Sequence, residues 1–175
     1  SDGDLAGLTT YRVYLTVPNA GDQVTSFTGN DEYPISLTTT TSFYQNVFGG
    51  VTPMDISSGA LALVPELAYD SWVTVGLEQA PVAGEGSIGV IPGAWSTDFE
   101  SGNSFTVNDG VGSGWYIIPP AASNGLAGDD LKVLVAQLTT DGEIAGSFRT
   151  QVFPNGDQVN DVRADIDFAQ SGGAC

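Results

Sequence analysis

Apolar and polar side chains alternate along much of this chain. In TTYRVYLTV, Tyr11, Val13, Leu15 and Val17 fall on one face, with Arg12, Tyr14 and Thr16 on the other. That period of two is the signature of a half-buried strand. ISLTTTTSFYQ sets Ile35, Leu37, Thr39, Thr41 and Phe43 on one side and Ser36, Thr38, Thr40 and Ser42 on the other. In YDSWVTVGLE, Val73, Val75 and Leu77 point inward, which turns Trp72 to a polar side with Asp70 and Thr74. Shorter strands are predicted around 24–28, 61–64, 104–107, 115–118 and 162–168. No segment combines a helical period with caps.

The strongest local signal is a hairpin. DDLKVLVAQLTT and EIAGSFRTQVF flank Asp141-Gly142, a dipeptide that tolerates the positive φ angles of a two-residue turn. A loop there pairs Val133 with Thr150, Val135 with Phe148 and Thr139 with Ile144 on an apolar face. The opposite face carries Lys132, Leu134, Ala136 and Leu138 against Gln151, Arg149, Ser147 and Ala145. Leu134 and Leu138 then stand among polar groups, so either another strand layer or a neighbouring subunit must cover them. Glycine is 23 of 175 residues, about twice the usual share, and is spread evenly. About ten short strands separated by turn residues predict an all-β fold, an antiparallel β-sandwich or jelly roll. Residues 1–175 form one domain in this reading, with 1–8 and 169–175 as terminal extensions.

Charge narrows the function. Four Lys and Arg against 21 Asp and Glu give −17, yet only 14% of residues are charged. The imbalance comes from missing cations, so nothing here can neutralise a row of phosphates, and nucleic acid is excluded as a partner. With no His and one Cys, a Ser-His-Asp triad, a Cys-His pair and a His-ligated zinc are excluded too. Paired carboxylates, drawn from Glu66, Glu78, Glu85, Glu100 or Glu143, are the chemistry left to an enzyme. Surface acids are the simpler reading, and the chain is expected not to be an enzyme. No apolar run approaches the ~20 residues of a membrane span, so membrane insertion is not expected. An acidic chain beginning at Ser1 fits a secreted protein whose leader has been removed.

Several residues are candidates for contact with ions, sugars or other subunits. Asp2, Asp4, Asp129 and Asp130, with Asp161, Asp165 and Asp167, offer hard oxygen ligands, and calcium is the cation they suit. Trp72 beside Asp70 and Thr74, with outward Tyr14 and Tyr44, could stack a glycan ring or fill an interface. The Thr/Ser ladder from Ser36 to Ser42 reads as ordinary strand sequence. Leu134, Leu138 and Arg149 form a candidate assembly face, and the lone Cys175 suits an intermolecular bridge or the cut end of a longer chain. PNAGDQV at 18–24 is echoed by PNGDQV at 154–159, which reads as similar turn chemistry at two corners.

TTYRVYLTV, SLTTTTSFYQNVFGG, VPELAYDSWVTVGLE and DLKVLVAQLTTDGEIAGSFRTQVFPNGDQ together resemble a β-rich domain that recurs in large secreted and cell-surface proteins of aquatic, chiefly marine, microbes. The likeness covers most of the chain in the same order. It implies an extracellular unit, often repeated, with a structural or adhesive role. No catalytic motif accompanies that domain, so no functional residue carries over. The chain departs from it in standing as a single module that ends in Cys175.

These readings converge on a secreted, non-enzymatic structural protein. It is expected to form a homo-oligomer, an extracellular filament or another surface assembly through exposed strand edges or apolar patches. A virion subunit belongs to the same structural class. A glycan-binding or adhesive module of a larger surface protein is the competing expectation.

Overall fold

The computed structural model describes residues 5–119 and 122–170. Ten strands form two antiparallel sheets. One holds β1 (Thr9–Thr16), β8 (Lys132–Thr140) and β4 (Trp72–Val73), in that order. The other is built on β9 (Ile144–Phe153). β10 (Val162–Gln170) pairs with β9 from Val152 to Ile144 and so fills one whole side of it. β2 (Gln23–Gly29) and β3 (Ile35–Thr39) therefore share the other side, end to end, interrupted by an excursion over 30–34. Gly29 is needed at that pinch, because a Cβ there would lie 2.8 Å from the Ile35 backbone nitrogen. β7 (Ser113–Tyr116) and β5 (Gly89–Ile91) extend the sheet beyond β2, and β6 (Phe105–Val107) beyond β3. The all-β sandwich expected from the sequence is the fold.

Between the sheets lies an aromatic spine. Phe168, Phe148, Trp115, Trp95 and Phe105 follow one another with ring centroids 5.1–5.6 Å apart. Trp115 Nε1 donates to the Thr74 carbonyl at 2.9 Å, tying the second sheet to the segment after β4. Phe148 and Trp115 meet edge to face and the other pairs are tilted, and such contacts add to the burial of the rings themselves.

Three sequence expectations are corrected. Asp141-Gly142 does not close a hairpin. β8 is flanked by β1 and β4, and β9 by β10 and the β2–β3 pair, so neither strand has a side free for the other. The dipeptide instead carries the chain from one sheet to the other as an arch, and Val135 and Phe148 line one slot from opposite layers. Gly142 has no positive φ. It is required because a Cβ would fall 2.6 Å from the Thr39 and Thr41 hydroxyls. Residues 61–64 are not a strand. They close α1 (Ser58–Leu63), whose first turn is capped by Ser57 Oγ accepting the Ala60 N–H at 3.0 Å. A second short helix, α2 (Ala94–Glu100), buries Trp95 and Phe99, four residues apart on one face.

The third correction concerns Leu134 and Leu138. A bulge in the β1–β8 ladder falls between Val13 and Tyr14, where Val135 is the extra residue of β8. One extra residue inverts the facing of everything beyond it. Leu138 thus turns into the main core at 0% exposure, while Leu134 faces the other way at 4%. Leu134 is covered by Ile56, Leu67 and Trp72, from a loop and short helical turns that wrap that face. Neither leucine is available to a neighbouring subunit.

Candidate functional site

The Trp72 constellation closes inward. Trp72 is 3% exposed and Asp70 and Thr74 are fully buried, so these residues offer a sugar nothing. Each has a structural task. Thr74 Oγ1 donates to the Leu77 carbonyl at 2.8 Å. Asp70 accepts the Asn46 N–H at 2.7 Å and the Gly50 N–H at 3.3 Å, pinning that loop to the turn that leads into β4. Burial pushes the Asp70 carboxyl up to about 6, against the pull of those backbone donors.

The Thr ladder serves the arch. Thr39 and Thr41 hydroxyls bond the Thr140 hydroxyl at 2.9 and 3.0 Å, and Thr40 Oγ1 accepts the Glu143 N–H at 3.0 Å. The two echoed turns also meet, because Asp22 holds its own loop through the Asn19 N–H and accepts the Asn155 N–H at 2.9 Å. Asp157, the counterpart of Asp22, instead bonds Val159 and Asn160 at the surface, so the likeness is one of turn residues only.

Asp129 and Asp130 lie exposed before β8, where Asp130 accepts the Lys132 N–H at 3.2 Å. Among the described residues, no three Asp, Glu or Cys are grouped as a metal site. Asp2, Asp4 and Cys175 lie outside the described residues. Arg149 stands on the outer face of β9, bonded to both Asp165 oxygens at 2.8 and 3.0 Å, with its guanidinium 3.5 Å from the Tyr33 ring centroid. Arg163 pairs with Asp161 at 3.3 Å. The Gln151 amide also bonds Asp161 and is the main cause holding that carboxyl below its ordinary range.

One region has unused bonding capacity. β1 and β10 are the long outer strands of the two sheets, eight and nine residues, each paired along one side only. By contrast β4, β5 and β6 have two or three residues each, a common way of blunting an edge. β1 and β10 border the same opening of the sandwich. Between them runs an apolar slot with Val13 and Leu15 on one lip, Ile166 and Phe168 on the other, and Val135 and Phe148 at its floor. The lip residues are half-buried, unlike the fully buried floor. Tyr14, on the outer side of β1, is 45% exposed.

Hydrogen bonds fix which backbone groups are spare. The Val17 N–H reaches the Leu131 carbonyl at 3.0 Å, so odd residues of β1 face β8. Thr10, Arg12, Tyr14 and Thr16 then direct their N–H and C=O groups to the opening. On the other lip, the Thr40 N–H reaches the Glu143 carbonyl at 3.1 Å, which directs odd residues of β9 to β3 and even ones to β10. By the β9–β10 register, Arg163, Asp165, Asp167 and Ala169 are left facing the opening. The sequence shows both strands as strands. That they share one opening follows only from the arch and the sheet order.

Comparison with known proteins finds no matching family model, no matching curated protein and no matching solved structure. No helix among the described residues is long and apolar enough to cross a membrane.

Proposed function

We propose that the protein is a secreted, non-enzymatic structural subunit that works by self-association in an extracellular filament or surface assembly. One observation carries this reading: two long, unpaired strand edges, free of Pro and Gly, border the same apolar slot. Exposed edges of that length invite pairing with another chain, and proteins that stay monomeric usually shorten, cover or kink them. The resemblance to domains of secreted surface proteins and the acidic composition support the extracellular setting. The rival glycan-binding reading has lost Trp72, Asp70 and Thr74 to the core.

Light scattering in sea-strength salt tests the proposal. A mass above the 18.1 kDa of one chain is expected. Repeating the measurement with a chelator tests calcium bridging through the acidic loops, and with a reductant tests a bridge through Cys175. A mass of one chain under every condition would overturn the proposal, and a glycan array would then be the next experiment.

A further inference from the structure

We infer that two copies of the chain join at their openings, with β1 of each pairing antiparallel to β10 of the other about one twofold axis. The inference rests on the self-association reading and gives it a surface and a register. β1 runs opposite to β8, the arch reverses the chain into β9, and β10 runs opposite to β9. Within one molecule β1 and β10 are therefore antiparallel across the opening. A twofold axis along the strands brings β10 of the partner beside β1, antiparallel, and in the same motion brings β1 of the partner beside β10. Each sheet of one copy then continues into the opposite sheet of the other, and both slots close on each other.

The side chains agree with the backbone. Setting Arg12 opposite Asp167 of the second copy pairs all eight residues of β1, from Thr9 with Gln170 to Thr16 with Arg163. The spare backbone groups then face each other at Thr10/Ala169, Arg12/Asp167, Tyr14/Asp165 and Thr16/Arg163. In the same register Tyr11 lies beside Phe168, Val13 beside Ile166 and Leu15 beside Ala164, all on the inner face. A slip of one residue would set apolar lips against solvent-facing charges. Charge agrees with this pairing. Arg12 bonds Glu78 and Gln137 of its own chain on the outer face of the first sheet, and the mixed register sets Asp167 of the second copy on that same face, so opposite signs meet across the ladder. Because the same surface is used on both sides, the contact closes as a dimer.

The native chain in sea-strength salt is expected to show at least twice the 18.1 kDa mass of one chain. Tyr14→Pro deletes an N–H that faces the opening and spares every β1–β8 hydrogen bond. It is expected to remove the dimer contact with an unchanged circular dichroism spectrum, whereas Tyr14→Thr keeps the contact. Arg12→Asp is expected to weaken the dimer at least tenfold, and Arg12→Asp combined with Asp167→Arg to restore it. A dimer that persists in folded Tyr14→Pro, or a folded charge-exchanged double variant that stays monomeric, would overturn the inference. Larger assemblies indifferent to Tyr14→Pro would overturn this contact and leave self-association standing. A native chain that is monomeric throughout would overturn both.

Discussion

Two buried polar side chains show how single residues set the stability of this sandwich. Thr150 sits on the inner face of β9 with its hydroxyl buried and without a hydrogen-bond partner among the described residues. A buried hydroxyl left unsatisfied costs about 1–3 kcal/mol, and valine has nearly the same shape. Thr150→Val is therefore expected to raise stability by about 1 kcal/mol in urea denaturation, and a loss of stability would contradict that account. Asp70 acts in the opposite sense with pH. Its folded value of about 6 lies above its ordinary 3.8, so the folded state holds the proton more tightly than the unfolded chain. Stability from this group is full below about pH 4 and is lost as pH rises through 6. Relative to Asp70→Asn, the native chain should lose on the order of 2–3 kcal/mol between pH 4 and pH 7. Subtracting the variant removes the shared effect of the other acids, and parallel pH profiles would rule the shift out. Asp70 was visible in the sequence as an acid beside Trp72, but its burial was not. Alternation assigns Asp70 to a polar face, and the loop and helical turns that cover that face carry no strand period of their own.

At the scale of elements, the Asp141-Gly142 arch decides the topology. The sequence is that of a hairpin turn, and local propensity alone favours one. What excludes it is that both strands have other partners on both sides, and β1 and the β2–β3 pair are brought from residues more than a hundred positions away. Non-local pairing of this kind leaves no mark on a short window of sequence. The same holds for the bulge at Val135, which separates Leu134 from Leu138 although they stand four residues apart in a regular alternation. Most strands were legible, β1, β2 and β10 nearly to their ends, because each has one apolar face, whereas β3 stops at Thr39 although the alternation continues to Phe43. The short helices were not, since α1 buries no residue fully and α2 is only seven residues long. The arch makes its own prediction. Gly142→Ala should destabilise by about 1–3 kcal/mol, because its Cβ would push into the cluster of Thr39, Thr40 and Thr41 hydroxyls. A type I′ hairpin would instead lose stability through φ strain, so Gly142→Asn discriminates. Asparagine relieves such strain but worsens the crowding, and it should be at least as damaging as alanine.

For the whole molecule, net charge and edge pairing pull in opposite directions. Each copy carries −17, so two copies repel over any distance that salt does not screen. The Arg12–Asp167 contact gains little from low salt by comparison, as exposed pairs seldom exceed about 1 kcal/mol. Association should therefore strengthen as sodium chloride is raised from tens of millimolar toward sea strength, where the screening length falls to a few ångströms. Weaker association at high salt would mean that attraction between charges, and not the apolar slot with its two strand ladders, holds the copies together.

The edges themselves can be read directly by residue-resolved amide hydrogen exchange in sea-strength salt. The amides of Arg12, Tyr14, Thr16, Asp165 and Asp167 face the opening and have no hydrogen-bond partner within the described fold. If those edges are the working surface, their exchange should slow as protein concentration rises, and should stay fast in Tyr14→Pro. Fast exchange at these positions in a protein that is demonstrably assembled, with protection appearing on some other face, would contradict the account.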